Sequence, residues 1–531
     1  MLKTITTVLA LSSSYAMAAE LTGTVTDQNQ QPIANAKIEL HGQVGVIYTN
    51  QNGQFTMTTE QGDVELHISA PGYTHENINI DGNQSQVEIV LSKNAMEYID
   101  VYATPLHGSA LESATPITVL SGEELQRNNA DTLGETLKSQ VGIHSTFFGP
   151  TSASPIIRGL DGPRVLITQN SLDAADASRV GPDHVVATDT STVKQVEILR
   201  GPSTLLFGNG AIGGVINIVD NRVPTSSDFE LDWSLKHETA AQENEATINF
   251  TSGTQNWAYH FDAFARSSDD VEIPGNPEHH EDESEEEHEA HDDEFDGTLE
   301  NSASESTGFN VGTSYLLDNG FVGVSFGKLD KLYGIPGHSH GHHEDEHHDE
   351  GHDAVEEHEG EHEEHGVEGD MSQQRIQLLS DVNINQFGIE AIKTKLGLTE
   401  YRHAELEDDI EGTVFTNDTT QAKVDVLLAE KFGWHSAVTF DYKTTDFKAV
   451  GDEAFTPASE TSSSALALLT EKHFGDVLVQ LGARIEQVDM DTAEFDITGE
   501  IVEHHEEHEE EAHHDEHEMH EEEHEAHEQH I

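Results

Sequence analysis

The chain has 531 residues, and its 25 lysines and arginines face 101 aspartates and glutamates, for a formal net charge of −76. A surface this negative repels nucleic acid and attracts cations, which excludes a nucleic-acid-binding protein. Cysteine is absent, so disulfides, thiolate metal sites and cysteine catalysis are excluded together. No apolar run reaches the roughly 18 residues that a membrane-spanning helix needs.

At the N-terminus Lys3 supplies a positive start, residues 5–11 a short apolar core, and Ala16-Met17-Ala18 a small-x-small cleavage site. This pattern reads as a secretory signal peptide over residues 1–19, so the mature chain leaves the cytoplasm. An exported bacterial-type chain without cysteine suits the periplasm or the outer membrane. Residues 20–93 then alternate as short strands at 21–26, 36–40, 54–57, 64–69 and 87–91. Asn52-Gly53, Pro71-Gly72 and Asp81-Gly82 separate them, which predicts a small β-sandwich. The stretch resembles the carboxypeptidase regulatory-like domain at Gly23-Thr24-Val25, Pro32-Ile33, Ala36, Gly53-Gln54-Phe55 and Pro71-Gly72-Tyr73. Nothing in it looks catalytic.

Within the linker 94–104, the segment Tyr98, Ile99, Asp100, Val101, Tyr102, Ala103 and Thr104 is alternating and extended, bounded by Pro105. Exposed, it suits pairing with the sheet edge of another protein; a plain linker is the alternative. Residues 105–224 carry three informative blocks. They are Arg158-Gly159-Leu160-Asp161-Gly162-Pro163-Arg164, Val196-Glu197-Ile198-Leu199-Arg200-Gly201-Pro202 and Leu206-Phe207-Gly208-Asn209-Gly210-Ala211-Ile212-Gly213-Gly214. In this order they closely resemble the α+β plug domain of TonB-dependent outer-membrane receptors. The departure is Gln169-Asn170, where the family usually shows Asp-Gly. The resemblance implies that Tyr98 to Thr104 is the TonB box. It also implies residence in the bacterial outer membrane, in contact with its lipid, and partnership with TonB and its inner-membrane energising complex. A plug must bury its charges, so Arg158, Glu197 and Arg200 are expected to pair with plug or wall residues. Gly208 to Gly213 also fits the dinucleotide fingerprint G-x-G-x-x-G. That motif needs a helix next, whereas residues 215–219 are β-branched, so the nucleotide reading is rejected.

From residue 225 onward, alternating runs predict eleven strands, at about 229–240, 244–252, 257–267, 304–317, 321–332, 373–384, 388–403, 419–430, 434–448, 462–473 and 477–489. One face is apolar and the other polar, as in an antiparallel transmembrane β-barrel. Even-numbered strands end in short turns, while the acidic tracts 278–296, 338–370 and 503–530 follow the third, fifth and eleventh. All three tracts therefore leave from one side, the long-loop, extracellular side. Plugged barrels have about 22 strands and bacterial barrels an even number, so the chain is expected to hold an incomplete barrel, about its first half. The expected fold class is mainly β, and the expected state a monomer.

The three tracts hold 40 acids and 24 of the 35 histidines, with no lysine or arginine. Such composition forms no core and predicts solvated, irregular loops. Imidazole and carboxylate suit zinc, nickel and copper(II), and the lack of thiolate argues against copper(I) selectivity. His343 to His347, His358 to His362 and His520 to His524 match H-E-x-x-H, but a zincin needs an ordered helix there. No enzyme and no catalytic cofactor are expected. Gly334-Ile335-Pro336-Gly337-His338-Ser339-His340 resembles the loop motif of zinc-uptake (ZnuD-type) receptors, and His342, His343, His347 and His348 follow it. Asp183-His184 resembles the pair those receptors aim into the lumen, which implies transport ligands for zinc. Zinc prefers four ligands, so unnamed barrel residues must complete the site. Two rivals stand beside zinc uptake. One is a metal-sequestering or adhesive surface protein without transport, the other a TonB-dependent receptor for nickel, haem or a siderophore.

Overall fold

The computed structural model describes residues 19–34, 36–40, 46–59, 64–70, 73, 76–81, 84–92, 101–106, 114–275, 297–337, 366–407, 410–451, 454–474 and 477–493. Residues 1–18 of the expected signal peptide, Tyr98, Ile99 and Asp100, and the histidines His338, His340, His342, His343, His347 and His348 lie outside them. So do the first and third acidic tracts.

Seven strands make a two-sheet sandwich: β1 (Ala19–Asp27), β2 (Lys37–Leu40), β3 (Val46–Tyr48), β4 (Gln54–Thr59), β5 (Val64–Ser69), β6 (Glu76–Ile80) and β7 (Gln86–Leu91). The sheet orders are β4-β1-β7 and β3-β2-β5-β6. Strict alternation of exposed and buried positions along β7 packs Ile89 and Leu91 with Leu21, Val25, Phe55, Leu66 and Ile68. Gly23 is required here, since a Cβ would lie 2.4 Å from the Phe55 ring. Strands β3 and β6 escape sequence reading because they are short and, in β6, rich in asparagine.

The plug follows: β8 (Ile117–Ser121), α1 (Gly122–Asn128), α2 (Leu133–Leu137), β9 (Ile143–Ser145), β10 (Pro155–Ile157), β11 (Val165–Gln169), β12 (Leu172–Asp173), β13 (Gln195–Leu199) and β14 (Gly214–Val219). Its five-stranded sheet runs β12-β11-β14-β13-β8. Every residue of β11, β13 and β14 is buried, which is why these strands read as near-continuous apolar runs. Asn170 takes a positive φ of 53° in the turn between β11 and β12, a conformation that Asn tolerates. Strand β14, not a helix, follows the glycines 208–213.

The expected charge pairing differs. Glu197 sits in the middle of the sheet and accepts only from amide groups, four in all. Arg200 lies beside Arg158, and its Nε and Nη2 have no hydrogen-bond partner among the described residues. Burial, then the neighbouring Arg158 charge, lowers its pKa. Linker amides have taken the place of a cation at Glu197, a pairing across about 95 residues that local pattern does not encode.

The remaining strands are β15 (Glu230–Glu238), β16 (Glu243–Gly253), β17 (Trp257–Ser268), the short pair β18 (Val271–Glu272) and β19 (Thr298–Leu299), then β20 (Ser304–Leu317) and β21 (Gly320–Gly334). After these come β22 (Glu368–Gln386), β23 (Ile389–Glu407), β24 (Ile410–Lys431), β25 (Trp434–Val450), β26 (Ser459–Phe474) and β27 (Val477–Thr492). All but the short pair join one 11-stranded antiparallel sheet in chain order, an incomplete barrel with β15 and β27 at its edges. In β17 the outward residues are Trp257, Tyr259 and Phe261, and the inward ones His260, Asp262 and Arg266. Apolar out and polar in is the pattern of a wall between lipid and a filled lumen. Strand β23 runs to Glu407, four residues past its expected end at 403, and two further boundaries depart from expectation. Glu368, Gly369 and Asp370, assigned to the second acidic tract, begin β22. Strand β24 starts at Ile410, well before residue 419, with Thr413, Phe415 and Asn417 buried inward and Glu411, Thr416 and Asp418 outward. Polar outward residues erase the lipid-facing alternation there.

The plug is bonded to the concave side of this wall. Asn170 Nδ2 donates to Gln377 (3.1 Å), Asp173 N to Gln421 (2.8 Å), and Arg375 Nη2 to Asp173 O (2.7 Å).

Candidate metal centre

Between β12 and β13 the chain runs through residues 174–194 without helix or strand, yet much of it is buried between sheet and wall. Buried backbone groups need partners, and side chains supply them. Asp173 accepts from Ala175 N (3.1 Å), Asp176 from Ser178 N (3.2 Å) and Ala187 N (3.0 Å), and Tyr333 Oη from Val185 N (3.1 Å). His184 is thereby set into the wall at 3% exposure.

From the wall come His403 and Glu405 of β23. Residues two apart on a strand share a face, and both point inward, with exposures of 0% and 3%. The ligand atoms of His184, His403 and Glu405 all lie within 4.8 Å of one another. Nδ1 of His184 is 3.1 Å from Ala177 O. A carbonyl can only accept, so this nitrogen carries the proton and donates. Nε2 faces Glu405 Oε1 at 3.2 Å and Asp183 Oδ2 at 3.7 Å. Burial lowers the His184 pKa, but the Glu405 hydrogen bond and the Asp183 charge outweigh it, and the net shift is upward.

Nε2 of His403 meets Tyr333 Oη at 3.1 Å. That hydroxyl also lies 3.1 Å from Asp183 O, to which it donates. A hydroxyl has one proton, so His403 Nε2 is the donor to Tyr333 and His403 Nδ1 carries a bare lone pair. His403 Nδ1 and Glu405 Oε2 are both buried without a hydrogen-bond partner among the described residues. Orphaned buried polar atoms are costly, and a bound cation is one way to satisfy them. A tetrahedral zinc with bonds of about 2.1 Å needs ligands about 3.4 Å apart, so the cluster would have to contract modestly. Aromatic rings enclose it: Phe415 lies edge-on to His184 (4.5 Å), and Tyr333 stacks on His403 (5.9 Å). Such a dry wall strengthens charge interactions inside.

Of the residues expected to hold metal, Asp183 and His184 are thus brought together with two wall residues. Sequence reading ends this strand at 403, so Glu405 falls beyond it and His403 is one of many polar residues on the inward face. Extending the strand to Glu407 exposes the one available signal, a His-x-Glu pair on that face. The mouth of the second tract adjoins the site. Ile335 donates to Val367 O (3.0 Å), and both pack in the apolar cluster of Tyr333, Met371, Tyr401 and Phe415. In the linker, Val101 and Ala103 are buried, contrary to the expected exposed strand, while Tyr102 is exposed.

Residues 109–215 match the family described as TonB-dependent Receptor Plug Domain, and residues 20–92 the Carboxypeptidase regulatory-like domain. A hemin receptor of Yersinia pestis is 32% identical over 128 residues, which cover 23% of this chain and 18% of that protein. Among solved structures, the copper transporter OprC superposes with a TM-score of 0.56 at 14% identity, covering 72% of this chain and 56% of that one. The ferric enterobactin receptor PfeA of Pseudomonas aeruginosa gives 0.53 at 13% identity, covering 72% and 59%. At such identities the likeness is one of fold. The chain spans less than a fifth of the hemin receptor and under two thirds of these structures.

Proposed function

We propose that this chain is a TonB-dependent receptor, a reading supported by the plug-domain match over residues 109–215, that it takes up a metal ion across the outer membrane and that the ion is zinc. In this reading the chain is an outer-membrane β-barrel transporter rather than an enzyme, which the plug-domain match and the 11-stranded antiparallel sheet support. The observation that carries the zinc reading is the meeting of His184 from the plug with His403 and Glu405 from the wall. Two imidazoles and a carboxylate, with Asp183 at hand as a fourth ligand and no thiolate, form a donor set suited to zinc. A site made half by the plug and half by the wall is broken when the plug moves, which couples release of the ion to plug displacement.

In this reading residues 20–93 are an accessory sandwich, 94–104 carry the TonB box, 105–224 are the plug and 225–531 the partial barrel. The His- and Glu-rich tracts, including His338, His340, His342, His343, His347 and His348, collect the ion weakly and raise its local concentration. The ion passes to the buried site, and TonB with its energising complex pulls on the box to free it.

Zinc titration of membrane-embedded protein lacking the tracts tests the site. The parent binds one zinc tightly. His403→Ala, Glu405→Ala and the double variant Asp183→Ala/His184→Ala each weaken it by at least the roughly 10–100-fold that loss of a mere supporting contact costs. Variants that bind as tightly as the parent would place the transport site elsewhere, and competition with nickel and copper(II) fixes the cargo.

A further inference from the structure

Two consecutive linker amides share a single carboxylate. Tyr102 N donates to Glu197 Oε1 (2.6 Å) and Ala103 N to Oε2 (2.9 Å). Gln195 Nε2 (2.7 Å) and Asn217 Nδ2 (2.9 Å) donate to the same group. Glu197 is wholly buried and makes no ion pair among the described residues. Burial raises the Glu197 pKa, but each oxygen accepts two N–H donors, which fills its lone pairs as in a carboxylate. Bonds to an ionised acceptor are about twice as strong as neutral ones, and two of these four come from consecutive linker amides. Lys194 Nζ also donates to Tyr102 Oη (2.9 Å), and apolar packing adds to the grip. Val101, Ala103 and Leu106 lie among Leu166, Leu199, Leu206 and Val215, and Lys393 Nζ donates to Pro105 O (3.3 Å).

A strand that adds to a partner's sheet edge must offer its own amides to that edge. In this structure the amides of Tyr102 and Ala103 are already spent on Glu197. We infer that Glu197 is a latch: its carboxylate holds two adjacent linker amides that in an extended strand point to opposite edges, so pairing along either edge must free one of them and docking and pairing at Tyr102 and Ala103 exclude one another. The consequence for partner access rests on reading the segment as the pairing strand, but the docking itself does not.

Because the chain has no cysteine, Ala103→Cys places a single thiol where exposure is 3%. Maleimide labelling of that thiol is measured in membranes from cells making the whole chain, with Glu197, Glu197→Ala or Glu197→Gln. Gln keeps one oxygen acceptor but turns an NH2 toward the other amide. Labelling at position 103 should rise at least about tenfold in the Ala variant, from loss of charge-assisted bonds, and by less in the Gln variant. A thiol introduced by Ala174→Cys, in the plug core at 1% exposure, should stay protected throughout. Equal labelling at position 103 in all three backgrounds overturns the latch. So does exposure of position 174 in step with position 103 in both variants, since the plug would then have loosened as a whole. Neither metal nor partner enters the measurement, so its failure is separate from any failure of the pairing-strand reading.

Discussion

Replacing Arg266 with Met should loosen the plug segment that carries the metal ligands. Arg266 is a wall residue whose side chain is wholly buried. Its Nη1 reaches Asp131 Oδ1 (3.2 Å) and Asp189 Oδ2 (2.8 Å) of the plug, and its Nε reaches Glu245 Oε2 (2.9 Å) of the wall. Glu243 stands 3.7 Å from Nε. The remaining cations are Lys331, 2.8 Å from Asp131, and Lys236, 3.5 Å from Glu243. Burial alone would raise the Asp131 pKa, yet the Lys331 and Arg266 charges hold it below the ordinary carboxylate range. Removing one partner of a buried pair typically costs about 3–5 kcal/mol, because the other is left charged and unpaired. Asp189 and Glu245 are the groups so abandoned. At about 1.4 kcal/mol per tenfold, opening of residues 185–192 should become roughly 100- to 4000-fold more frequent. Amide hydrogen exchange across that segment reads the effect directly. Arg266→Lys keeps the charge but cannot fork to plug and wall at once, so its effect should be smaller. Unchanged exchange in the Met variant would mean that the network does not hold the plug, its desolvation cost having cancelled its attraction.

The His184 pKa is raised in the folded protein, so its charged form is favoured by the fold. Stability of the metal-free protein from this group is full below the unfolded value near 6.5 and is lost as pH rises through the folded value. Zinc needs the neutral imidazole, so affinity should climb over the same window; thermal melts with and without zinc should slope oppositely with pH, and His184→Gln should abolish both slopes. Deleting residues 278–294 and 341–365, which leaves β22 intact, should slow uptake at scarce zinc and spare it at plentiful zinc; equal uptake at limiting zinc would make the tracts inert spacers. Val101→Pro removes an amide that strand pairing uses. It should stop energised uptake, measured with radioactive zinc, without changing zinc affinity.

Much of the architecture is visible in the order of residues. Alternation with apolar residues outward and polar inward marks a barrel wall strand by strand, because lipid and lumen act on opposite faces of each strand. The plug shows through its β-branched runs and glycine turns, and Asp183-His184 through its adjacent carboxylate and imidazole. These signals are local, carried by neighbours within one element. Where the alternation fails, as at the start of β24, the polar outward residues erase it, and the strand was read too short. The other half of the candidate site is not local. His184 and Glu405 are 221 positions apart, and His403 looks like any inward polar residue until the plug segment is packed against it. The same holds for Glu197, whose partners Tyr102 and Ala103 lie nearly a hundred residues earlier. Periodicity states which face a side chain takes. Which distant side chain it meets there is decided by how the plug packs against the wall, since that packing alone sets which buried lone pairs and amides must satisfy one another.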